Sequence, residues 1–104
     1  MDVAAPGRAR SRRARALQSY GITIEQYDEL LRAQGGVCAA CAAPPTEKRL
    51  LDVDHDHRTG RVRGLLCRRC NRALGSLRDD PELARKLATY LEITRAPWLV
   101  EALG

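Results

Sequence analysis

Val-Asp-His-Asp-His-Arg-Thr-Gly-Arg-Val-Arg-Gly-Leu-Leu-Cys-Arg-Arg-Cys-Asn, residues 53–71, decides the reading of this chain. It begins as a short apolar strand, passes through a polar loop at Thr59-Gly60, returns as Arg61–Leu66 and runs into a Cys-x-x-Cys turn. β-Branched and aliphatic runs bounded by turn residues read as a hairpin. Gly64 inside the return strand predicts a bulge or a close backbone approach. A helix is expected from about Cys70 or Asn71 to Leu77, so the stretch reads strand, strand, helix.

A second Cys-x-x-Cys turn, Cys38 and Cys41, lies upstream, and 25 residues separate it from the pair Cys67 and Cys70. Two such turns supply four thiolates, which suit tetrahedral structural zinc with no open position for catalysis. The alternative is two disulfides or a redox dithiol, and chelation separates them: it should unfold a zinc-stapled domain and leave a disulfide-bonded one intact. The first twenty residues are Arg-rich and lack the apolar core of a signal peptide. No run approaches the roughly 20 apolar residues of a membrane span. The expected setting is intracellular and reducing, where paired cysteines favour metal.

At 104 residues the chain fits one domain with a small core, lacking Phe and holding a single Trp. Such domains often need a metal or disulfides to be stable. The formal charge of +5 is unevenly placed. Residues 1–20 set five arginines against Asp2, and residues 58–72 hold six arginines and no acid. Two concentrations of arginine point to a polyanion, most simply nucleic acid. Residues 1–19 read as a basic arm without an apolar stripe, mobile until it meets a partner, or else a solubilising tail; the domain proper is 20–104.

A helix is expected over about 24–34. Thr23 stands at the N-cap, Gln26 completes a capping box, and Ile22 with Tyr27 forms a staple. Ile24, Tyr27, Leu30, Leu31 and Gln34 give its packing stripe, and Gly35-Gly36 ends it. Residues 49–54 read as the first strand, with Leu51 and Val53 on one face. Asp80 caps a further helix with Pro81 at its first position. That helix runs to about Ile93 with Leu83, Leu87, Tyr90 and Leu91 as its buried stripe. Pro97 is expected to open a last short helix carrying Trp98, Leu99, Val100 and Leu103.

The chain's only two histidines, His55 and His57, lie between the thiolate turns. Asp54 and Asn71, side by side, would offer one carboxylate and one amide oxygen, a hard, half-open site suited to magnesium or manganese. His55 would stay off that metal and, as a neutral imidazole, accept a proton from water. A solvated turn or a second zinc cluster is the plainer reading of Asp-His-Asp-His by itself. Arg58, Arg61 and Arg63 project as phosphate contacts or as ordinary solvated charges, with no base-specific code.

Residues 53–71, with Tyr-Gly-Ile-Thr at 20–23 and Gly-Gly-Val-Cys-Ala-Ala-Cys at 35–41, resemble the phage recombination endonuclease VII family, a branch of the HNH or His-Me finger nucleases. The resemblance covers about residues 20–93. It implies a small α+β fold, a ββα-metal core stapled by the four-cysteine zinc site and flanked by helices. It also implies that Asp54 and Asn71 bind the catalytic Mg2+ or Mn2+, that His55 is the general base, and that Cys38, Cys41, Cys67 and Cys70 hold zinc. His57 matches a second family histidine that either positions the phosphate or braces the loop. The larger junction-resolving members continue well beyond the position of Gly104, so the resemblance extends to phosphodiester hydrolysis rather than to branched-DNA cleavage. It favours a homodimer, whose two sites would cut both strands, where a monomer would nick. A phage terminase or recombination protein as directing partner stays open. The competing function is a zinc-stapled DNA-binding or assembly module without catalysis, which would have no need to keep Asp54, His55 and Asn71 together. A redox protein would leave the histidines unexplained.

Overall fold

A computed structural model of the chain describes the backbone of residues 4–95 and the side chains of residues 11–95. Four helices and one antiparallel pair of strands follow in the order α1 (Ala4–Gln18), α2 (Ile24–Ala33), β1 (Asp52–His55), β2 (Val62–Leu66), α3 (Arg68–Ser76) and α4 (Pro81–Thr94). The chain divides into two compact units, Met1–Asn71 and Arg72–Gly104. No described helix is long and apolar enough to cross a membrane.

The first unit forms around eight apolar or thiol side chains: Leu17, Ile24, Tyr27, Cys38, Leu51, Val53, Leu65 and Leu66. α2 begins as its sequence requires. Gln26 N–H donates to Thr23 Oγ1 at 3.1 Å and Thr23 N–H donates to Gln26 Oε1 at 2.8 Å, a complete capping box. It ends in a Schellman motif, with Gly36 N–H bonded to Leu31 C=O and Gly35 N–H to Arg32 C=O. Both glycines adopt positive φ, 73° and 79°, which costs them no Cβ clash. The Tyr27 hydroxyl crosses from α2 to donate to Leu51 C=O at 2.6 Å, tying the helix to the approach of β1.

The basic segment, read from sequence as an arm, forms α1 over Ala4–Gln18. Alanine and arginine both favour helix, and the end of α1 is anchored on α2. Leu17 is buried, the Arg13 guanidinium lies 4.6 Å from the Tyr27 ring centroid, and Arg13 pairs with Asp28 at 3.5 Å. An apolar stripe was not required, because one leucine and one cation–π contact supply the attachment.

β1 and β2 pair as Asp52 with Leu66, Val53 with Leu65, Asp54 with Gly64, and then His55 with Val62. The register slips by one residue after Asp54, which leaves Arg63 as the extra residue of a β-bulge. Gly64 also meets the expected close approach: a Cβ there would sit 3.2 Å from Gln34 Oε1. Gln34, read from sequence as part of a packing stripe, is a polar clamp. Its Nε2 donates to Val37 C=O and Leu65 C=O at 2.9 Å each, and its Oε1 accepts from Leu65 N–H at 2.8 Å. Gly64→Ala should force this amide out of place. The expected loss is about 1–2 kcal/mol, the scale of a buried hydrogen bond, read as a lower urea midpoint; an unchanged midpoint would show that the clamp yields freely.

In the second unit, Arg78 and Asp79 take positive φ, 51° and 58°, and Asp80 then caps α4 by accepting from Glu82 N–H at 3.0 Å. The expected burial of the α4 stripe is not found. Leu83, Leu87, Tyr90 and Leu91 are 38, 45, 63 and 58% exposed. Helical periodicity marks a face fit for burial and does not supply the surface that covers it. The helix expected from Pro97, with Trp98, Leu99, Val100 and Leu103, lies outside the described residues.

Candidate functional site

The four cysteines converge. Their Sγ atoms all lie within 4.8 Å of one another, none is in a disulfide, and Cys41 Sγ stands 3.7 Å from Cys67 Sγ. A tetrahedral zinc ion with Zn–S bonds near 2.3 Å places its sulfurs about 3.8 Å apart. Each turn is closed by its own backbone. Ala40 N–H approaches Cys38 Sγ at 3.4 Å and Cys70 N–H approaches Cys67 Sγ at 3.5 Å, while Ala42 N–H bonds to Cys38 C=O and Asn71 N–H to Cys67 C=O. Burial raises the Cys38 thiol, but backbone donors at Cys41, Cys67 and Ala40 outweigh it and bring the group down to about 6. Burial and the neighbouring sulfurs of Cys67, Cys41 and Cys38 push Cys70 up to about 12. Sulfurs this close resist ionising together, so a full set of four thiolates calls for a dication among them. The donor set and its spacing fit a structural metal.

The second turn passes directly from β2 into α3 and so sets the position of Asn71. Asn71 lines a cleft with Arg13, Tyr20, Tyr27, Asp52 and Val53. Among the described residues its side-chain amide makes no hydrogen bond. His55 ends β1 and is half-buried. Its imidazole lies between two rings, with Tyr20 at 5.6 Å and His57 at 4.7 Å between centroids. Neither histidine has a hydrogen-bond partner among the described residues.

The loop that carries His57 is held by Asp56. The Asp56 carboxylate accepts from Arg58 N–H at 2.7 Å and Thr59 N–H at 3.2 Å, and these two donors hold its carboxyl below the usual range. Asp56 N–H bonds to Arg61 C=O and Gly60 N–H to Asp56 C=O, both at 2.7 Å. Asp56 makes the hydrogen bonds that brace this loop, and His57, expected either to brace it or to position the phosphate, is exposed beside His55.

Asp54 is the buried charged residue of the hairpin, 8% exposed. Burying a carboxylate is costly unless it is paired, and the partner is Arg63. Nε donates to Asp54 Oδ2 at 2.8 Å and Nη2 to Asp54 Oδ1 at 3.0 Å, a two-pronged bridge. Strand alternation placed Arg63 outward as a phosphate contact; the bulge instead turns it onto Asp54. No hydrogen bond joins Asp54 to Asn71. Arg58 and Arg61 are exposed, and among the described residues their guanidinium groups form no ion pair. The same is true of Arg68 and Arg69 on the first turn of α3.

The recombination endonuclease VII family matches residues 13–93, which include both thiolate turns, the hairpin and Asn71. The chain belongs to the recombination endonuclease VII family. The Gene 59 protein of Mycobacterium phage D29 is 44% identical to it over 91 residues, 86% of this chain and 53% of that protein. The Gene 59 protein of Mycobacterium phage L5 is 46% identical over 78 residues, 74% of this chain and 48% of that protein. The chain spans about half the length of these curated relatives.

Three contributors to this endonuclease VII family site were not singled out from sequence. Tyr20 packs near His55; its only signal was its place in the Tyr-Gly-Ile-Thr motif. Asp56 was legible in principle, since an aspartate followed three residues later by Thr-Gly is turn chemistry. Arg13 reaches the cleft of Asn71 from α1, and nothing in a run of arginines distinguishes it from its neighbours.

Proposed function

We propose that the chain is a metal-dependent HNH endonuclease, a His-Me finger formed by β1, β2 and the first turn of α3, which hydrolyses DNA phosphodiester bonds in the cytoplasm of a bacterial host. The observation that carries this reading is that the turn of Cys67 and Cys70, half of the four-sulfur cluster, joins the histidine-bearing hairpin directly to the helical turn that carries Asn71. His55 ends β1 next to Asp54, and Asn71 completes the first turn of α3 directly after Cys70. Family membership supports a nuclease, and the histidine-bearing hairpin supports the HNH class.

In this reading Asp54 and Asn71 hold the Mg2+ or Mn2+. Bound there, the cation supplies neutralising charge at the phosphoryl oxygens and the departing 3′ oxygen. His55 as neutral imidazole takes a proton from the attacking water. Tyr20 and His57 limit the tilt of that ring, and His57 also stands close enough to share the phosphate. Arg58 and Arg61 steer and position the DNA backbone without reading bases. The Gene 59 relatives support a phage setting, in recombination or DNA packaging; a homodimer would cut both strands, a monomer would nick, and a terminase or recombination protein is the class of partner that would direct either.

Supercoiled plasmid should be converted to nicked or linear form when Mg2+ is added to the zinc-loaded protein, and should stay supercoiled without it. Binding should weaken steeply with salt, and Arg58→Ala and Arg61→Ala should each lower the slope of log affinity against log salt by about 1. A second reading, a zinc-stapled DNA-binding module, draws on the engagement of both Asp54 oxygens by Arg63. It requires salt-sensitive binding with intact plasmid at every Mg2+ and Mn2+ concentration.

A further inference from the structure

We infer that Arg63 is a resident counter-cation of the proposed divalent-metal site, which a metal ion must displace from Asp54. The inference rests on the reading of Asp54 as a ligand of that ion. Its own support is geometric. The Asp54 carboxylate is nearly excluded from water, and its two oxygens are each engaged by a separate nitrogen of one guanidinium, at 2.8 and 3.0 Å. A regular ladder continuing the Asp54–Gly64 pair would set Arg63 opposite His55, on the strand face away from Asp54. The slip that pairs His55 with Val62 releases Arg63 from that position and aims it at the carboxylate. The bulge is therefore the device that fits the clamp to the ligand.

The consequence is competition. A carboxylate so buried needs a cation at all times, and a guanidinium fork is a good fit to it. A divalent ion bound to the same oxygens brings two positive charges to within a few ångströms of Arg63, and their mutual repulsion opposes joint occupancy of the carboxylate. Arg63 thus sets the metal concentration at which the site fills and holds the Asp54 carboxylate in place below it.

The test measures Mn2+ binding to the zinc-loaded full chain from the electron paramagnetic resonance signal of free Mn2+. Asp54→Ala should weaken binding severely. Arg63→Gln, which removes the competitor, should tighten it about tenfold, and Arg63→Lys, with a charge but no fork, should fall between Arg63→Gln and the wild type. In the wild type, saturating Mg2+ should move the Arg63 Nε–H resonance in a 1H–15N spectrum, an outcome that depends on no variant folding. If Asp54→Ala abolishes binding while Arg63→Gln leaves it unchanged or weaker, the competition is refuted and the ligand role of Asp54 stands. An Arg63 Nε–H resonance unmoved by saturating Mg2+ refutes it as well. If Asp54→Ala binds Mn2+ as the wild type does, the ligand reading fails and the inference falls with it.

Discussion

Replacing His55 with alanine is expected to cut plasmid cleavage by about two to four orders of magnitude, the usual contribution of a positioned general base, while zinc content and DNA binding stay at wild-type values. The imidazole makes no hydrogen bond that holds the fold together. It packs edgewise among Tyr20 and His57, and the hairpin is secured elsewhere, by the Asp54–Arg63 bridge and the Gln34 clamp. Removing the ring should therefore remove a proton acceptor and little else. Loss of DNA binding along with cleavage, shown by fluorescence anisotropy, would contradict the assignment. Activity at the wild-type rate would remove His55 from the chemistry altogether.

The second large effect is on stability. Cys67→Ser should abolish cooperative thermal unfolding and leave the protein without bound zinc. Among its described residues the first unit buries eight apolar or thiol side chains, too few to secure a domain with ease. A structural zinc ion contributes on the order of 10 kcal/mol in small domains, comparable to the whole stability of a typical one. Cys67 also joins β2 to α3, and because serine keeps the main-chain carbonyl that accepts from Asn71 N–H, the variant isolates the loss of one sulfur from the cluster. Circular dichroism melts with metal analysis check the outcome. A cooperative, metal-free melt at the wild-type midpoint would rule out the metal as the staple.

Much of this arrangement was legible because it rests on local chemistry. Thr23 with Gln26, Gly35 with Gly36, and Asp80 with Pro81 each specify a helix end through the backbone groups they satisfy, and the spacing of the four cysteines specified a common metal cluster. Gly64 announced an irregular strand. What escaped depends on partners distant in sequence. Arg63 was read as an outward phosphate contact because alternation assumes a regular ladder, and its bridge to Asp54 depends on one extra residue in β2 that alternation does not show. Gln34 was counted as packing because its spacing is helical, although its amide bonds to a strand 31 residues away. The α4 stripe was read as buried because amphipathicity gives a direction and not a neighbour. α1 was read as loose because its two anchors, Leu17 and Arg13, are too sparse to register as a pattern.

Gln34 has one more effect, on how copies of this chain meet each other. A hairpin leaves two open edges, and an open edge invites a strand from another molecule. At Leu65 the outward N–H and C=O are already taken, by the Gln34 amide and by Ala39 N–H. The side chain counterfeits a peptide group and seals that margin against intermolecular strand addition, so a chain with leucine at position 34 would be prone to form aggregates even where its active groups were untouched.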